Sequence, residues 1–300
     1  MRISTNLLQQ LGINSILDRQ VDVSKTQLQI SSGKSILTPS DDPAGSARIL
    51  GLNAFIGTLE QYQTNIDQLE SRLTLEEVTL SSMTNVLQRL RELAVQGAND
   101  SIGVQGREGI ASEVEQRLDE FMGLINTRDA NGEYLFGGFQ VNNPPFEDLG
   151  GGNFRYIGDQ GVRQLQVGTD RSINDRDNGF DVVMDVQTSA GGSQDIMTTI
   201  DGFLQNMLAG TSAPSDIDDL DLALQNILTV RAGVGGRLNA LDSQRNVNDG
   251  FVIESKASLS QIEDLDYVSA IALFESQLLA LQAAEQAFVK VQGLSLFNYL

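Results

Sequence analysis

The 300-residue chain contains no cysteine, no histidine and no tryptophan. Without cysteine there is no disulfide, no thiolate nucleophile and no sulfur ligand for a metal. Without histidine the commonest general base and metal ligand are missing, and with them most hydrolase and metalloenzyme mechanisms. Carboxylate chemistry remains, or none. Basic residues are also scarce: 20 Lys and Arg stand against 40 Asp and Glu, a formal net charge of −20. No stretch supplies the clustered basic face that a nucleic-acid partner needs. Residues 1–30 interrupt their apolar positions with Gln, Asn, Asp and Arg, so no cleavable secretory signal is expected. No uninterrupted apolar run approaches the roughly 18 residues that span a bilayer, which predicts a soluble chain with no membrane partner. No cofactor and no metal site are expected.

What is present is a long apolar repeat. Every seventh residue from Leu52 reads Leu52, Leu59, Ile66, Leu73, Leu80, Leu87 and Ala94, and the companion series reads Phe55, Tyr62, Leu69, Glu76, Met83 and Leu90. Only Glu76 is polar. A 3-4 repeat of this length predicts one straight, coiled-coil-like helix, on the order of 65 Å long at 1.5 Å per residue. Asp42 before Pro43 signals its start, and the turn-rich segment Gly97–Gly106 its end. A second helix is predicted over Glu108–Thr127, with Ile110, Val114, Leu118, Phe121 and Ile125 on one stripe. Farther on, Ile217, Leu224, Leu238, Val252 and Leu259 share one heptad phase, and Leu220, Ile227, Val234, Leu241 and Ile262 the other. Arg231, Arg245, Asn248 and Ser255 interrupt those phases and predict a helix that is only partly buried.

Between the helices, Gly and Asp rise and short β-like runs appear at Tyr134–Phe139, Asn153–Ile157, Val162–Val167 and Phe180–Val186. Ile157 and Val162 flank Gly158-Asp159-Gln160-Gly161, a hairpin signature. The fold class is therefore mainly α: a long coiled-coil-like helical rod built from both chain ends, with a small inserted β domain. The heptad phase slips by one residue across Glu263–Asp266, which breaks a continuous seam, and the loop Thr38–Gly45 matches it on the N-terminal side. Three domains follow: a terminal helical assembly domain of residues 1–42 and 263–300, a rod of 43–132 and 196–262, and a β insert of 133–195.

The ends carry the functional signal. Tyr267, Ile271, Phe274, Leu278, Leu281 and Phe288 follow 3-4 spacing, Leu265, Ala272 and Leu279 form a second row, and only Glu275, Glu285 and Lys290 carry charge from Tyr267 onward. In the N-terminal helix Leu7, Leu17, Val21 and Leu28 make one stripe, and Ile16, Val23 and Ile30 another. A helix apolar on more than one side is buried on more than one side. Ordering a residue costs roughly 1.5 kcal/mol, and burying a stripe side chain returns roughly 1.5–3 kcal/mol, so one neighbour is too few. The termini are expected to fray in the isolated chain and to fold on assembly. The expected assembly residues are Tyr267, Ile271, Phe274, Leu278, Leu281 and Phe288, with Leu7, Leu17, Val21 and Leu28 opposite them.

Sharper chemical motifs give way to plainer readings. Gly33-Lys34-Ser35 lacks the glycine that a phosphate-binding loop needs five residues earlier, where Leu28 stands, and reads as a turn between helices. Asn174–Gly179 would place Arg176 where a calcium loop needs an oxygen ligand, and reads as a solvated acidic loop. Asp216, Asp218, Asp219 and Asp221 read as a negatively charged helix N-terminus. Glu113 and Glu115 point in different directions on a helix and read as surface carboxylates.

SSGKSILTPSDDPAGSA (Ser31–Ala47) resembles the N-terminal signature of the bacterial flagellin family. MRISTN (Met1–Asn6), NTRDANGEYLFGGF (Asn126–Phe139), RAGVGGRLNALDS (Arg231–Ser243) and VQGLSLFNYL (Val291–Leu300) resemble the branch of that family found where hook meets filament. The resemblance covers residues 1–140 and about 215–300. It implies terminal helices lining the inner tube of an axial structure, export without a cleaved signal peptide, an extracellular flagellar location, and a non-enzymatic adaptor joining hook to filament. The implied partners are other copies of the chain, a hook-side junction protein, flagellin, and a cytoplasmic export chaperone on the C-terminal helix. Filament flagellin shares Ser31–Ala47, but its typical C-terminus lacks a Leu-Phe-Asn-Tyr-Leu-like tail. The alternatives are a short flagellin forming the filament itself, a carboxylate-dependent hydrolase in the β insert, and an adhesive module on a coiled-coil stalk.

Overall fold

In the computed structural model, Asp42 Oδ1 accepts hydrogen bonds from the backbone N–H groups of Ala44 and Gly45, at 3.1 and 3.0 Å. This is an N-cap followed by a proline at the first helical position, and the helix it opens, α2, runs unbroken over Pro43–Gly97. The structure describes residues 5–99, 101–211 and 213–297. Helix α1 (Thr5–Ser32) precedes α2, and α3 (Val104–Ile125), α4 (Ile196–Leu208), α5 (Pro214–Glu263) and α6 (Tyr267–Phe297) follow it. Six short strands lie between α3 and α4, so the expected class, mainly helical with a small strand-containing insert, holds. The chain divides into two compact units, one of the described residues up to 58 with those from 250 onward, the other of residues 59–249.

In the larger unit the heptad rows of α2 do what the spacing predicts. Leu59, Ile66, Leu69, Leu73, Leu80, Met83, Leu87 and Leu90 are all buried, and Leu220, Ile227, Val234 and Leu241 of α5 are buried in the same core. Ile110, Val114, Phe121 and Ile125 of α3 join them. The polar residues that interrupt the α5 phases bridge rather than expose. Arg231 donates to Glu77 at 2.7 Å, and Arg245 reaches Asp67 and Glu70 at 2.7 Å each. Asn248 is buried and its Nδ2 donates to the Val167 carbonyl at 2.9 Å. Helix α4 has no counterpart in the expected elements. Its Ile196, Met197, Ile200, Phe203, Leu204 and Met207 are buried, and Asp195 caps it by accepting from Thr198 N at 2.7 Å.

The insert corrects several expectations. Strand β1 (Phe146–Asp148) pairs antiparallel with β2 (Phe154–Tyr156), β3 (Gln164–Gly168) with β4 (Arg171–Asn174), and β5 (Val186–Gln187) with β6 (Ser193–Gln194). The expected hairpin across Gly158–Gly161 does not form. Ile157 N donates to the Pro145 carbonyl, and Asp159 Oδ1 accepts from the backbone of Phe139 and Gly161. That segment therefore seats the Phe139 loop and leaves β2 with β1. Tyr134–Phe136 are buried but not a strand, because Tyr134 N donates to Val141 O and Leu135 N to Thr127 O. Gly138 follows at φ +66°, where a Cβ would lie 2.3 Å from the Asp159 carbonyl, so only glycine fits. Phe180–Met184 coils into a π-helical turn, and only Val186 of that run is strand, as the first residue of β5.

The segment Asn174–Gly179 is not a solvated loop. Asp175, Arg176 and Asn178 are buried. Asp175 Oδ2 accepts from Arg72 Nη1 at 2.7 Å, from Arg163 at 2.5 Å and from Arg176 at 3.3 Å. Glu133 and Asp129 complete the cluster on Arg72, so three guanidiniums meet three carboxylates. A buried ion pair contributes little net stability, yet removing one partner strands the others without a counter-charge. Asp175→Ala is expected to destabilise the chain by about 3–5 kcal/mol, read as a lowered thermal midpoint by circular dichroism. A midpoint equal to that of the parent chain contradicts this reading of the cluster.

Candidate assembly interface

Two chain breaks position the terminal helices. Gly33, at φ +71°, ends α1, and Glu263–Asp266 separates α5 from α6 where the heptad phase slips. The two breaks are hydrogen-bonded to each other. Ser35 N donates to Glu263 O at 2.7 Å, Leu265 N to Gly33 O at 3.0 Å, and the Lys34 ammonium pairs with Glu263. Asp41 pairs with Lys25 at 2.7 Å and accepts from Thr38 N, which together hold its carboxyl down to about 2. Asp266 caps α6 by accepting from Val268 N and Ser269 Oγ, and the bonds from Ser269 hold its carboxyl below the usual range.

Helices α1 and α6 pack against each other along one seam. A Cβ on Gly12 would come within 2.8 Å of the Phe288 ring, and the buried Thr26 donates from Oγ1 to Gln277 Oε1 at 2.7 Å. Gly12, Ile16, Val23, Thr26 and Ile30 make the inward row of α1, and Ala270, Phe274, Gln277, Leu281 and Phe288 that of α6; all are at least half-buried. Four of the expected α6 residues, Phe274, Leu278, Leu281 and Phe288, are thus half-buried, while Tyr267 and Ile271 are exposed.

The expected α1 row is placed differently. Leu7, Leu17, Val21 and Leu28 do not oppose the α6 stripe; they are exposed, with Val21 at 66%. Two residues on a helix are separated by about 200°, so Val21 and Leu28 turn away when Val23 and Ile30 turn in. Leu11 and Ile13 are exposed as well. On α6, Val268 at 80%, Leu279 at 68%, Leu273, Val289 and Val291 complete an outward apolar surface not singled out as a row from spacing alone, apart from Leu279. Its signal was present: few charges and many aliphatic side chains on every side of one helix.

Helix α6 bears on the expectation of no membrane partner. Tyr267–Val291 is long and apolar enough to cross a membrane by length and composition, and of its residues only Ala270 is fully buried. Polar Ser, Gln and Glu residues interrupt the run, which hides it from a search for uninterrupted apolar stretches. Among the described residues no cluster of three or more Asp, Glu, His or Cys side chains is arranged to hold a metal ion. Met1–Ser4 of the opening motif and Asn298–Leu300 of the tail motif lie outside the described residues.

Residues 3–140 match the model of the bacterial flagellin N-terminal helical region. Over 317 aligned positions the chain is 28% identical to the flagellar hook-associated protein 3 of Escherichia coli K12, covering 99% of both chains. It is 25% identical to a flagellin of Listeria innocua, covering 91% of this chain and 89% of that one. In fold it is similar to the crystal structure of flagellar hook-associated protein 3 from Legionella pneumophila, with a TM-score of 0.67 at 21% identity over 71% of this chain and 98% of that one.

A side chain on the Gly33 turn tests how the breaks are held. Its Cβ would meet Tyr267 Oη at 2.9 Å, and the left-handed backbone disfavours any L-residue. Gly33→Ala is expected to lower the stability of the terminal unit by about 1–2 kcal/mol, measured by urea unfolding. An unchanged midpoint overturns it.

Proposed function

We propose that this chain, which belongs to the bacterial flagellin family through its N-terminal helical region, is a structural subunit of the flagellum that joins hook to filament. Similarity to hook-associated protein 3 over 99% of both chains carries the reading; the flagellin similarity is weaker and shorter. The physical mechanism is association through surface that one subunit cannot cover. Each exposed aliphatic side chain of α1 or α6 that a neighbour buries stabilises the assembly by roughly 1.5–3 kcal/mol. Contacts between unlike patches that do not close generate a helical array, and here they form one layer of it.

In this reading the terminal domain of residues 1–42 and 263–300 makes the assembly contacts. The helical rod of 43–132 and 196–262 supports lateral packing, and the insert of 133–195 faces outward. The partners are other copies, a hook-side junction protein and flagellin, with an export chaperone on α6 before secretion without a cleaved signal peptide. An α6 surface this apolar needs such a cover, and a protein groove provides it as well as a bilayer would. The role is not enzymatic. The insert carboxylates Asp175, which is buried, and Asp177, which is half-buried, are engaged by arginines, which leaves them acting as structural counter-ions.

Leu17→Asp combined with Val21→Asp tests the assignment, because both side chains are exposed on α1. The double variant is expected to keep the parent circular dichroism spectrum and to be absent from the hook tip by immunoelectron microscopy, leaving cells without attached filaments. Normal filament attachment overturns the proposal. Purified parent chain that polymerises alone into long filaments favours a filament flagellin instead.

A further inference from the structure

The apolar seam of α2 has one polar interruption, Glu76, and it is buried in the larger unit at 1% exposure. Its Oε1 accepts one hydrogen bond, from the backbone N–H of Asp177 at 3.0 Å. Its Oε2 is buried and has no hydrogen-bond partner. Asp177 in the insert is in turn paired with Arg237 of α5 through Nη2, while Arg237 Nη1 is buried and also unpartnered. One guanidinium therefore serves two carboxylates from different elements: it is bonded to Asp177, acts on Glu76 only through its charge, and keeps one amino group unpartnered.

The charge count sets the protonation. With Glu76 neutral, Asp177 and Arg237 balance. With Glu76 ionised, the trio carries one uncompensated negative charge in an apolar seam, which is costly. Other charged groups nearby are already engaged: Arg72 and Arg176 with Asp175 and Glu133, and Glu77 with Arg231. Burial, with the like charge of Asp177 as the next contribution, pushes the Glu76 carboxyl up to about 8, against the opposing effect of Arg237.

We infer that Glu76, Asp177 and Arg237 form a proton-operated latch that holds the 175–184 segment of the insert on α2 and α5. With the proton on Glu76, Arg237 is committed to Asp177 and the segment is docked. When the proton leaves, the single guanidinium of Arg237 faces two carboxylates, the trio carries one uncompensated negative charge, and the segment opens to water while the apolar seam stays closed. The sign follows from linkage. A carboxyl that titrates near 8 when docked and near 4.5 when open gives a latch strongest below about pH 4.5 and progressively weaker up to about pH 8, by about tenfold per pH unit.

Hydrogen exchange read by mass spectrometry on the full chain, corrected for the intrinsic pH dependence of exchange, tests this. Protection of residues 175–184 is expected to fall about a hundredfold from about pH 5.5 to about pH 7.5, while residues 80–94 of α2 keep theirs. Glu76→Gln, which keeps the shape without the titration, is expected to remove the pH dependence. Asp177→Asn, which leaves Glu76 and Arg237 as a balanced pair, is expected to bring the Glu76 carboxyl down and to remove the parent's loss of protection at high pH. Carbon-13 NMR of the glutamate carboxyls in the parent chain is expected to show one titrating far above the ordinary range, independently of either variant. The inference is overturned if segment and α2 lose protection together, if Glu76→Gln retains the parent pH dependence, or if every glutamate carboxyl titrates in the ordinary range.

Discussion

Apolar surface that the chain cannot cover by itself is the constraint on which the rest of this structure depends. In the larger unit the problem is solved internally. The 3-4 rows of α2 meet α5, α3, α4 and the insert, and residues such as Leu73, Leu80 and Phe121 lose all contact with water. In the terminal unit it is not. Helices α1 and α6 close one seam through Gly12, Thr26, Gln277 and Phe288, and each is left with an outward aliphatic row. The net charge of −20 keeps such a chain dispersed until a neighbour arrives.

The polar residues inside the larger unit have a different task. An apolar seam with a strict repeat can slide by a heptad and remain apolar, whereas buried polar groups fix register. Arg231 and Arg245 find their carboxylates only in one alignment of α5 on α2, and Asn248 finds the Val167 carbonyl only when β3 is in place. The ion cluster around Asp175 does the same for the insert. These contacts contribute uniqueness more than net stability.

Much of this was legible because helices announce themselves by period. The α2 rows, the Asp42–Pro43 start, the α3 stripe and the break at Glu263–Asp266 follow from spacing and caps. The insert was less legible because its segments are two to five residues long, and at that length backbone partners decide conformation rather than propensity. Tyr134–Phe136 look like a strand and are held by Thr127 and Val141 instead; Asp159 looks like a turn residue and works as a backbone anchor. At the candidate interface Phe274, Leu278, Leu281 and Phe288 of α6 are turned inward, while Leu7, Leu17, Val21 and Leu28 of α1 face water rather than standing opposite them. Two apolar stripes on one helix give no hint of which is turned inward, and that choice rests on small residues, Gly12 and Thr26, that a search for large side chains passes over. Asp195 with Thr198, ahead of the 3.6-period run of α4, was a signal that could have been read.

The central claim is that the outward rows of α1 and α6 are covered by other subunits. Because the chain has no cysteine, a single one introduced as Val21→Cys or Val268→Cys reports on its position alone. Labelling by a water-soluble maleimide should be rapid in the purified, dilute chain and strongly suppressed at both positions in intact flagella. Equal labelling in the two states would show that these rows stay in water after assembly and would contradict the account.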